Sequence, residues 1–179
     1  MRLAMAAIAA TLAATSAAQA ADYTVRAKGS KTGLGRVTAI GDFKPESDPS
    51  PGAAMRVFGF PSSAREESGR SSCPMGWKAL SVRILFVNLG SKGSACVVGK
   101  AQTASVFGRR WHTSRGLSIG DSTRRLRRLY PGAVRRGRTY RLVGGKSIYG
   151  DGRRYSVLAA KTRNGRVGAF KLFIGAAGE

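Results

Sequence analysis

The clearest hydrophobic pattern in the chain is the stretch Leu80 to Leu89. Leu80, Val82, Ile84 and Phe86 alternate there with Ser81, Arg83, Leu85 and Val87, and the second set turns apolar toward the end. A period of two is the signature of a strand, so this segment predicts a strand with one fully buried face. Cys73 to Trp77 precedes it as a shorter strand, and Gly90-Ser-Lys-Gly93 supplies turn chemistry behind it. The chain then returns through Ala95 to Val98, and Ala101 to Trp111 reads as a third strand, with Ala104 and Val106 on one face and Phe107 and Trp111 on the other. Farther on, Thr139 to Val143, Tyr155 to Thr162 and Val167 to Ile174 repeat the alternation. Asn164-Gly165 between the last two is a type I′ hairpin signal, because both central positions of that turn need positive φ. Gly144-Gly145 is expected to open a loop running through Tyr149 to Gly152.

Two short segments have helical rather than alternating character. In Gly116 to Pro131, the residues Gly120-Asp-Ser-Thr-Arg-Arg-Leu-Arg-Arg-Leu-Tyr-Pro place Leu126 and Leu129 three apart and end on a proline. Asp121 or Ser122 is the expected N-cap, and Pro131 cannot continue the helix. About two helical turns are unstable alone, so the leucine face must be buried against a sheet. The arginines at 124, 125, 127 and 128 then fall on the opposite side. A second helix is expected over Pro51 to Phe58, started by Ser50-Pro51, with Ala54, Val57 and Phe58 inward and Gly59 and Pro61 as its stop. Short strands at Tyr23 to Arg26, as an edge, and at Val37 to Ile40 lead into it.

These elements fall into the same order twice: Gly-Asp, short helix, proline, then about three antiparallel strands. Ile40-Gly41-Asp42 matches Ile119-Gly120-Asp121 at a distance of nearly eighty residues. The expected fold class is therefore α+β, mostly antiparallel β with two short helices, as a tandem duplication of a helix-plus-three-strand module. The modules would cover about 37–111 and 112–179, within one compact domain over 21–179.

Composition adds a compartment and a charge. Residues 1–20 read as an export signal: Arg2, an apolar run from Leu3 to Leu12 too short to span a bilayer, and a cleavage site at Ala18-Gln19-Ala20. Cleavage leaves a chain from Ala21 that is secreted or associated with the cell envelope, and no later segment is apolar enough for a membrane span. The only cysteines, Cys73 and Cys96, are expected to form a disulfide in an oxidising compartment. The 179-residue chain carries a formal charge of +22, and from Arg109 onward the surplus alone is +15. Such a surplus draws a protein to polyanions. Candidate anion-binding residues are Arg124, Arg125, Arg127, Arg128, Arg135, Arg136 and Arg138.

Catalytic chemistry is harder to place. His112 is the single histidine, which leaves no base for a nucleophile elsewhere and no ligand set for a metal, so neither a metal nor a cofactor is expected. Gly144-Gly145-Lys146-Ser147 echoes a phosphate loop, but Tyr140 stands where its first glycine should be. The expected function is that of an exported, non-enzymatic binding protein whose partner is an anionic envelope polymer or an acidic protein, with nucleic acid bound only non-specifically. The alternative is a small exported enzyme acting on cell-wall material, with Tyr149 and Asp151 as its candidate site.

The stretch Leu117-Ser-Ile-Gly-Asp-Ser-Thr-Arg-Arg-Leu-Arg-Arg-Leu-Tyr-Pro resembles the opening of the helix-then-sheet modules of β-lactamase inhibitor proteins and of outer-membrane assembly lipoproteins of the SmpA/OmlA type. It is similar also to exported proteins of high-GC bacteria with the same glycine-aspartate-serine helix start. The resemblance implies a tandem α+β module whose relatives bind proteins and catalyse nothing. The chain departs from the inhibitors in its single pair of cysteines and its basic surface, and no inhibitor contact residue carries over.

Overall fold

The computed structural model of the chain describes residues 22–31, 34–67, 69, 71–90, 92–146 and 154–175. The export signal at 1–20 and the candidate pair Tyr149 and Asp151 lie outside the described residues. Along the chain the elements are β1 (Thr24–Lys28), β2 (Arg36–Ile40), α1 (Pro51–Phe58), β3 (Ser63–Ala64), β4 (Ser72–Trp77), β5 (Val82–Val87), α2 (Ala95–Val98) and β6 (Lys100–Val106). They continue with β7 (His112–Thr113), α3 (Thr123–Leu129), β8 (Val134–Arg136), β9 (Thr139–Lys146), β10 (Arg154–Arg163) and β11 (Arg166–Phe173). The class is α+β and mostly antiparallel, as expected.

The strand alternation builds an eight-stranded sheet ordered β3-β4-β5-β6-β11-β10-β9-β8. Side chains in register across it form a buried row, Trp77, Val82, Val106, Phe170, Ala160 and Tyr140, one residue from each of six strands. Beyond Tyr140 the same row reaches Arg135 on the edge strand β8, and there the core runs out. The neighbouring row, Arg83, Ser105, Lys171, Ala159 and Arg141, faces the other way, as the period of two requires. Leu126 of α3, the aromatic rings of Phe43 and Trp111, and Val25, Val37 and Ile40 of a smaller sheet ordered β2-β1-β7 complete the core.

Local signals account for the helices. Ser50 caps α1 by accepting from the Ala53 N–H at 3.1 Å, with Pro51 in the first turn. Ser122 caps α3, accepting from Arg125 N at 3.2 Å. Asp121 does a different job: its Oδ2 accepts from Ser118 N at 2.8 Å and pairs with Arg125 at 3.0 Å. At Asn164 and Gly165 φ is 50° and 71°, which is the expected hairpin.

Four expectations are corrected. The return through Ala95 to Val98 is a third helix, α2, capped by Ser94. Its valines favour a strand by propensity, but Cys96 is bonded to Cys73 on β4 with Cα atoms 5.1 Å apart, and the tether holds the turn against the sheet rather than in it. The segment at Tyr23 to Arg26 is no edge, because β1 lies between antiparallel β2 and parallel β7. Val57 is 40 % exposed, and Ala53 takes the inward place assigned to it. Gly144 and Gly145 belong to β9. A side chain at Gly145 would collide with the Gly35 backbone and come within 2.8 Å of the Tyr155 ring; those glycines let two backbones pass.

Candidate functional site: an arginine cleft at the sheet edge

At the place where the buried row ends, α3, the β8–β9 hairpin and the β10–β11 hairpin enclose a cleft of about 480 Å³. Arg127, Arg135, Arg138 and Arg163 line it, with Tyr140, Thr123, Thr162 and Asn164, and among the described residues no acidic side chain is part of the lining. Tyr140 is 4 % exposed and forms the floor. Two guanidinium carbons, those of Arg127 and Arg135, each stand 5.9 Å from the centre of its ring, within the reach of a cation–π contact. Arg127 also donates to the tyrosine hydroxyl at 3.3 Å.

Each arginine is positioned by a separate local rule. Arg127 is carried by α3, whose Leu126 is fully buried. Arg135 and Arg136 are neighbours on β8 and therefore point to opposite faces. Arg138 follows Gly137, whose φ of 58° closes the turn, and its carbonyl accepts from both N and Oγ1 of Thr162 at 2.7 and 3.0 Å. Arg163 is the last residue of β10. The hairpin behind it is pinned to the start of α3, where Thr123 N donates to the Gly165 carbonyl at 2.9 Å.

The seven arginines singled out in the sequence therefore do not form one face. Arg127, Arg135 and Arg138 meet in the cleft. Arg125 pairs with Asp121 and donates to the Gly116 carbonyl at 3.3 Å, while Arg124 and Arg128 are exposed on α3 outside the lining. Arg136 joins Arg141, Arg154 and Tyr155 around a smaller cleft of about 210 Å³. Arg163 was missed, since it reaches the helix only through the long-range bond of its hairpin to Thr123. Its signal was its place beside the Asn-Gly turn.

The ion pairs among the described residues use other arginines: Arg26 with Asp22, Arg36 with Glu46, Arg56 with Asp48 and Arg125 with Asp121. Hydrogen bonds from Ser50 and its backbone, then the Arg56 guanidinium, hold Asp48 below the ordinary carboxylate value of 3.8. At Asp22 partial burial pushes the carboxyl up, but hydrogen bonds from Thr24 and Arg26 outweigh it and the net shift is downward. His112 is spoken for: one ring nitrogen lies 3.1 Å from Thr24 Oγ1 and the other 3.3 Å from the Arg110 carbonyl.

The cleft's chemistry follows from these facts. Guanidinium groups stay charged at any physiological pH and present planar forks of N–H donors that match carboxylate or phosphate oxygens. Four of them stand over an aromatic floor, an arrangement whose donors suit negatively charged oxygens.

No family model matches the chain, and no curated protein matches it in sequence. Among solved structures it is similar to an extracellular protein containing a SCP domain from Bacillus anthracis str. Ames, at 13% identity and a TM-score of 0.39, over 69% of this chain and 42% of that one. The chain thus spans less than half the length of that protein, and a likeness at this level carries no argument about fold or function. The Cys73–Cys96 disulfide is compatible with an oxidising compartment, and no helix among the described residues is long and apolar enough to cross a membrane.

Proposed function

We propose that the protein is an exported, non-enzymatic binding protein that holds an anionic partner in the arginine cleft beside α3. The observation that carries this reading is the convergence of Arg127, Arg135, Arg138 and Arg163 on Tyr140 with no carboxylate among the described lining residues. Cations gathered in this way repel one another, and an anion between them relieves the repulsion. Export rests on the signal pattern at 1–20 and on the disulfide. We also take the two halves, about 37–111 and 112–179, as copies of one module. Their support is the order of the large sheet, in which β3 to β6 and β8 to β11 run as two meanders meeting at their last strands. Each half also begins with a buried isoleucine and a positive-φ glycine, Ile40-Gly41 and Ile119-Gly120, ahead of a serine-capped helix.

The test is salt-gradient elution from anionic cell-envelope material. The variant with glutamine at 127, 135, 138 and 163 is expected to elute at much lower salt than the native protein. A control carries glutamine at Lys44, Arg83, Lys100 and Lys171, which are exposed and lie outside the cleft; it removes the same charge and is expected to shift little. Equal shifts in the two variants would show that only bulk charge matters and would overturn the assignment to the cleft.

A further inference from the structure

The β10–β11 hairpin carries an arginine on each shoulder. Arg163 and Arg166 face each other across Asn164-Gly165, yet they serve different clefts. Arg163 lines the cleft already described. Arg166 lines a second one of about 520 Å³ with Arg109, Ile119 and Gly120, again with no acidic side chain among the described lining residues. Arg166 spends one N–H on the Gly120 carbonyl at 3.0 Å and keeps the rest of its five donors.

The hairpin is a fixed wall between the two. Gly120 N donates to the Val167 carbonyl at 2.7 Å and Val167 N to the Asp121 carbonyl at 2.8 Å, while Thr123 N holds the Gly165 carbonyl. The turn and the start of β11 are thereby tied to the segment that opens α3, which sets the hairpin between the two clefts. A compact anion can occupy one of them. Six guanidiniums distributed over both sides of the wall suit a ligand that repeats.

Resting on the anion-binding reading, we infer that the two clefts are successive stations for one linear polymer of phosphate groups that crosses the hairpin tip. The chemistry favours phosphate over carboxylate. In the first cleft the forks come from four separate elements, α3, β8, the β8–β9 turn and the end of β10, so they approach from several directions. Within a phosphate chain each internal phosphate keeps two non-bridging oxygens, and successive phosphates turn theirs in different directions about the chain, whereas a single carboxylate offers two in one plane and is satisfied by one fork. Linking two weak stations through one chain makes the second binding event intramolecular.

The experiment titrates the disulfide-bonded protein at fixed ionic strength with orthophosphate, tripolyphosphate and inorganic polyphosphates of increasing defined length, alongside a glycerol phosphate polymer and poly-glutamate of matched length. Affinity is expected to rise at least tenfold once a phosphate chain spans both clefts. In R109Q/R166Q that gain should vanish while tripolyphosphate affinity stays within about twofold of native. R83Q/K171Q removes the same charge elsewhere and sets the gain that chain length gives by itself. A length gain with either phosphate repeat supports the track and names the source. Retention of the full gain in R109Q/R166Q, or equal affinity for poly-glutamate, overturns it. Binding of short chains with no gain in length fells the track and leaves the single anion site standing; absence of binding to every anion fells both.

Discussion

A single hydroxyl supports the helix that carries Arg127 to the cleft. Ser122 satisfies a free N–H in the first turn of α3, and a helix of seven residues has little other local support. Ser122→Ala is expected to cost about 1 kcal/mol, the usual worth of such a cap, read as a lower urea midpoint with an unchanged slope. Because α3 carries Arg127, the same variant should also weaken anion retention, whereas Ser50→Ala should cost similar stability through α1 and leave retention untouched. Tyr130 ends α3 at a C-cap, buried under Arg115 with its guanidinium 5.0 Å from the ring. Burial raises its hydroxyl above the ordinary value of 10.0, against opposing effects of Thr113 and Arg115. Its stabilising share is therefore whole below pH 10 and is lost as the pH rises through the folded value.

Among the elements, α2 shows how far covalent chemistry can override a pattern. Val97 and Val98 are 71 % and 46 % exposed, a poor outcome for two β-branched residues, while Ser94 caps the helix and Cys96 ties it to β4. Replacing both cysteines by serine is expected to cost about 3 kcal/mol by the chain-entropy account of a closed loop, measured as the difference in unfolding free energy between the native and double-serine proteins. The Leu80 to Leu89 alternation and the Asn164-Gly165 turn were legible because each depends on neighbours two to four residues away. The three residues of β8 are all exposed and too few to show an alternation, so the opposition of Arg135 to Arg136 was not legible. Arg163 was not legible, since its position depends on the hairpin tip lying against the start of α3, and neither was the passage of Gly35 across Gly145, which no local pattern records. The extent of β9 was missed for the same reason: its glycines look like a loop until the chain that crosses them is known.

For the whole molecule, charge and acid stability are linked. Asp22 and Asp48 both have lowered pKa values in the folded chain. A carboxyl with a depressed folded value stabilises the fold above its ordinary value of 3.8 and loses that contribution as the pH falls through the folded value. Each loss also adds to a net charge already at +22, so the self-repulsion grows as the ion pairs fail. Thermal midpoints are expected to hold level from pH 7 to about pH 5 and to drop below pH 4. Added salt should soften the drop, and Asp48→Asn should reduce its depth; a profile unchanged by that substitution would mean the carboxyl is not responsible.

The two meanders of the large sheet are joined only where β6 meets β11, strands that begin at Lys100 and Arg166. A chain emerging N-terminus first must therefore expose the backbone edge of β6 until almost all of β11 has appeared. That edge runs through Ala104 and Val106 and carries unspent N–H and C=O groups, the kind of edge that recruits strands from other molecules. During this interval the chain is a template waiting for its own last strand, and a truncation before Arg166 would leave it waiting permanently.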